Sequence, residues 1–123
     1  MSAFRDFELQ AIHLMADDAL CGEQLALLRE IEAPSEYRYT GSGYYLTVTH
    51  PVLPQNPRTL SEPAVVGTSG DIQCGFVVHL DGGGVLVLEC HTWGAVDVPE
   101  DMRDRNVQIR TPPVNTFSLG DAA

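Results

Sequence analysis

With 123 residues, the chain has room for one domain, with a core large enough to fold without a disulfide or a metal. Hydrophobic residues make up 44% and charged residues 20%, an ordinary globular composition that argues against disorder. Seventeen acidic residues face seven arginines, with no lysine, so the net charge is -10. That field repels phosphate backbones and anionic membranes, so nucleic acid and membrane are not expected partners, and it draws in a basic protein.

The opening MSAFRDFELQ has no apolar leader-like run, and no stretch approaches the ~20 apolar residues of a membrane span. A cytoplasmic location with three reduced thiols, Cys21, Cys74 and Cys90, is the expectation. Residues 7–15, FELQAIHLM, read as a first strand. Asp17 and Asp18 are placed to cap the next segment. There, Leu20, Gln24, Leu27, Leu28 and Ile31 share one helical face, which predicts the main helix over about 18–31, closed by Pro34.

Residues 36–51, EYRYTGSGYYLTVTHP, predict a hairpin turning at its glycines. The following PVLPQNPRTLSEP has four prolines in thirteen residues and reads as a surface loop. A short strand at 64–67 follows. Residues 74–93, CGFVVHL-DGGG-VLVLECHTW, are the strongest β signal, two runs around a glycine turn. Their continuous apolar stretches predict a central hairpin covered on both faces. A helical turn over 97–106, a last strand at 107–110 and a loose tail over 112–123 complete the chain. The order predicts one α+β domain over 1–123, with a mostly antiparallel sheet of about five to seven strands and one main helix on one face.

The candidate chemistry lies in the central hairpin. Alternation puts Glu89 and His91 on one face and Cys90 on the other. If Leu80 pairs with Val85, Cys74 faces His91 with Glu89 diagonal to it. That register gathers a thiol, an imidazole and a carboxylate, the residue types of a cysteine nucleophile with its base and orienting group. The same three, with His50 or His79, would be a zinc ligand set, although no CxxC or HxxxH spacing is present. A slip of one residue dissolves the group and leaves a buried strand. DGGG lacks the lysine and following helix of a phosphate loop and is a hairpin turn. No GxGxxG, HExxH or GxSxG occurs, and no cofactor is called for.

Tyr37, Tyr39, Tyr44 and Tyr45, with Trp93, form a second candidate, a recognition surface, because such rings supply contact area at low entropic cost. Residues 1–36 hold eight acids against Arg5 and Arg29, and Asp97, Glu100, Asp101 and Asp104 form a second acidic group. The expected function is a non-catalytic binding module for a basic protein, with the general make-up of immunity and antitoxin-like proteins. A small thiol- or metal-dependent enzyme using Cys74, Glu89 and His91 is the alternative. Self-association through an edge strand is the third reading.

Overall fold

A computed structural model describes residues 2–93 and 96–112; the tail expected over 112–123 lies, apart from its first residue, outside the described residues. Two helices, α1 (Asp6–Ala16) and α2 (Gly22–Glu30), precede seven strands: β1 (Glu36–Tyr39), β2 (Gly43–Thr49), β3 (Arg58–Leu60), β4 (Val66–Ser69), β5 (Ile72–Gly82), β6 (Val85–Thr92) and β7 (Gln108–Arg110). The strands form one antiparallel sheet in the order β1-β2-β6-β5-β4-β7, with β3 paired to the second half of β5. This is the α+β fold the sequence predicts.

The first element is a correction. Residues 6–16 form a helix, where the sequence reading placed a strand. Phe7 and Glu8, Ala11 and Ile12, Met15 and Ala16 are all buried, and their spacing is that of a helical stripe. The Arg5 amide donates to Glu8 Oε1 at 2.7 Å, which satisfies one of the orphan donors at the helix start. The main predicted helix is present as α2, but Asp17 and Asp18 do not cap it. Cys21 precedes it instead, and its amide donates to the Gln24 side chain at 3.0 Å.

The 36–51 hairpin forms with Tyr39 opposite Tyr44. The proline loop is not free. Its backbone carbonyls at Pro54 and Gln55 accept from Gly84 and Gly83, Leu53 is buried in the core, and three of its residues make β3. The loop thus clamps the β5–β6 turn.

Both helices pack on one face of the sheet. Phe7 of α1 meets Phe76 of β5 with ring centroids 6.2 Å apart, and Ile12, Leu28, Leu46, Leu86 and Leu88 are completely buried. Burial along β5 and β6 alternates strictly from Phe76 to Leu80 and from Val85 to Cys90. The expectation of cover on both faces is therefore corrected. Among the described residues no helix lies over the opposite face, where Val77, Val85 and Val87 are only half-buried. Their valines make the sequence look continuous, but they line the face that carries no helix among the described residues.

Candidate binding face

The register of β5 against β6 decides the site. Gly82, Gly83 and Gly84 all have positive φ, near 88°, 63° and 79°, so the strands reverse within a very tight glycine turn. Leu80 pairs with Leu86 while Gly82 pairs with Val85, leaving Asp81 as a bulge. The bulge moves the ladder one residue from the register predicted with Leu80 opposite Val85. Cys74 faces Thr92, and His91 faces Gly75. Cys74 lies on the helix-covered face, while Glu89 and His91 lie on the open one. The three are not brought together.

On the covered side, Cys74 and Cys90 are both buried free thiols. The neighbouring Cys74 thiol, and then burial, push the Cys90 thiol well above its ordinary 9.0. Cys90 also contacts the Tyr44 hydroxyl. Tyr44 in turn donates to Glu8, a completely buried carboxylate. Arg103, from the turn at Met102–Asp104, closes this network. Its Nε donates to Glu8 Oε2 at 2.7 Å, and its Nη2 to Glu8 Oε1 at 2.9 Å and to the Ala3 carbonyl at 2.7 Å. Burial first, then the charge on Glu8, raise the Tyr44 hydroxyl well above its ordinary 10.0. The network has no exposed reacting atom and joins α1, β2 and the 97–106 segment.

Sequence reasoning missed this network. Its signal was a carboxylate at position 8 inside an apolar stripe, visible only when residues 6–16 are read as a helix.

The tyrosines divide between the two faces. Tyr44 is buried, and Tyr39 donates to the Val98 carbonyl at 2.7 Å, so both are anchors within the fold. Tyr37 stacks on Tyr44 at 5.6 Å and is 39% exposed. Tyr45 stands on the open face opposite Glu89, with the Arg38 guanidinium 5.0 Å from its ring centre.

The open face is built around β6. Glu89 Oε1 lies 2.8 Å from His79 Nε2, a pair the sequence spacing did not reveal because it depends on the bulge. Thr92 O accepts from His91 Nδ1 at 3.0 Å. Gly43 on β2 and Gly75 on β5 flank His91. A Cβ at Gly75 would stand 2.5 Å from His91 Cε1 and 2.7 Å from Trp93 Cε3. Only glycine lets both rings lie down across β5. Trp93, the only tryptophan of the chain, is left 43% exposed.

Tyr45, Glu89, His79, His91 and Trp93 thus share one surface with Val77, Val85 and Val87. Such a surface mixes aromatic contact area with a few fixed polar groups, which is the chemistry of protein recognition. Among the described residues, no group of three or more His, Cys, Asp or Glu side chains could hold a metal ion. His79 and Glu89 alone fall short of the three or four ligands zinc requires. Among the described residues, no helix is long and apolar enough to cross a membrane. No protein-family model, curated protein or solved structure matches the chain.

Proposed function

We propose that the chain is a non-catalytic protein-binding module of the cytoplasm that docks a basic protein on the open face of its sheet. The observation that supports this reading most is the one-sided layering. Among the described residues the seven strands carry helices on one face only, and the other presents Tyr45, His91 and Trp93 among half-buried valines. An apolar, aromatic sheet face without a covering layer is the kind of surface that a partner completes. The chemistry of that partner follows from charge. Exposed Glu36 lies on β1, Asp71 and Asp81 at the two ends of β5 and Asp97 in the segment between β6 and β7, in a molecule of net charge -10. A cationic protein is attracted over distance and then held by the rings. The three free cysteines fit a reducing compartment. One form of this function is an immunity-like protein that neutralises a basic toxin. An enzyme built on Cys74, Glu89 and His91 is not proposed, because the sheet separates the thiol from the other two.

The test compares the wild-type chain with the Tyr45→Ser, Trp93→Ser double variant as immobilised bait in a lysate of the native host. A partner of basic isoelectric point, held by the wild type and lost at least about tenfold from the variant, is expected, since central aromatic anchors contribute about 2 kcal/mol or more each. Equal capture by both baits, or capture of acidic proteins only, would refute the assignment of the face.

A further inference from the structure

A second surface lies at the far edge of the sheet. Two adjoining depressions of about 490 and 540 Å³ run along α1 and share Asp6, Gln10 and Ile109 as their common wall. Together they form a groove between α1 and strand β7. Among the described residues β7 pairs only with β4, which leaves its other edge without a strand partner, and its Gln108 and Ile109 line the groove.

Three features give the groove a chemistry. It gathers much of the chain's positive charge. Arg5, Arg29, Arg103 and Arg105 line it, four of the seven basic residues in the chain, against Asp6 and Asp104 among seventeen acids. Arg103 is committed to Glu8. Among the described residues, Arg5 and Arg105 are held by exposed ion pairs to Asp104 and Asp101, at 3.3 and 3.0 Å. Such pairs contribute about 0–1 kcal/mol and exchange readily for another carboxylate. At one end Leu9, the exposed Leu14 and Ile109 make an apolar seat. The His13 Nε2 beside them is shielded from solvent and has no hydrogen-bond partner among the described residues.

We infer that the α1–β7 groove binds an extended peptide segment bearing carboxylates, which adds to β7 as a further antiparallel or parallel strand. Strand addition supplies main-chain hydrogen bonds, and alternate side chains enter pockets on one side. Here the inward positions meet the apolar seat of Leu9, Leu14 and Ile109. Carboxylates meet Arg5, Arg29 and Arg105. The inference is independent of the open face and of the basic partner proposed for it.

The experiment titrates the isotopically labelled full chain with an acetylated, amidated octapeptide alternating glutamate and leucine, followed by amide chemical shifts. A glutamine–leucine octapeptide is the control. Saturable shifts at Gln10, His13, Leu14 and residues 108–110 are expected, with a Kd of about 10–100 µM for so small a contact. The glutamine peptide, and the surface variants Arg29→Glu and Arg105→Glu, should each bind about tenfold more weakly. Trp93→Ser should bind as the wild type does. Equal binding of the two peptides, shifts confined to the open face, or no saturable shift would overturn the inference. So would a concentration-dependent dimer in sedimentation that Arg29→Glu abolishes, which would give the groove to a second copy.

Discussion

Glu8 is a completely buried carboxylate whose two oxygens accept four hydrogen bonds, from the Arg5 amide, the Tyr44 hydroxyl and two nitrogens of Arg103. A buried ion pair of this kind adds little over a well-packed apolar pair, but breaking it strands a charge. Glu8→Ala should therefore lose about 3–5 kcal/mol of unfolding free energy in urea titrations, while the double change Glu8→Leu, Arg103→Leu recovers most of that loss. Equal losses in the single and double variants would mean that packing, not charge, dominates. Tyr44 predicts the pH response. Its hydroxyl is raised above its ordinary 10.0, so the folded state keeps a proton that the unfolded chain releases. That contribution is complete below about pH 10 and is lost as pH rises above it, at about 1.4 kcal/mol per pH unit. Melting temperature should fall steadily above about pH 10, and Tyr44→Phe should flatten that fall.

At the scale of elements, the β5–β6 hairpin is where reading and structure part. The two runs, the glycine turn and the sharing of a face by Glu89 and His91 were legible from alternation alone. The register was not, because one bulged residue, Asp81, changes every cross-strand neighbour without altering the hydrophobic pattern. Residues 7–15 failed for a related reason. Their apolar density fits strand and helix alike, and the helix places Glu8 inside the buried stripe, where it meets Arg103, 95 residues away. The recognition tyrosines were legible as a group, but alternation sends Tyr45 outward and Tyr44 into the core. Gly75→Ala tests the register directly. Its new Cβ would collide with the rings of His91 and Trp93, so the fluorescence of the single tryptophan should shift to the red as the ring is pushed into water. Stability should fall by about 1–3 kcal/mol, the range of an overpacked site. An unchanged emission spectrum would place those rings elsewhere.

At the scale of the whole molecule, the two faces of the sheet differ. The helix side is sealed by the core and the Glu8–Arg103 network, and the other side carries Tyr45, His91 and the exposed Trp93 in a molecule of net charge -10. The central claim is that a basic partner sits on the open side. The most direct measurement places the photoreactive residue p-benzoylphenylalanine at position 45, 93 or 23 of the full chain in its native host. Positions 45 and 93 lie on or beside the open face, and position 23 is exposed on α2. Irradiation should trap the same basic protein from 45 and 93 and leave 23 uncrosslinked. A partner trapped from position 23 alone, or an acidic protein trapped from the open face, would contradict the account.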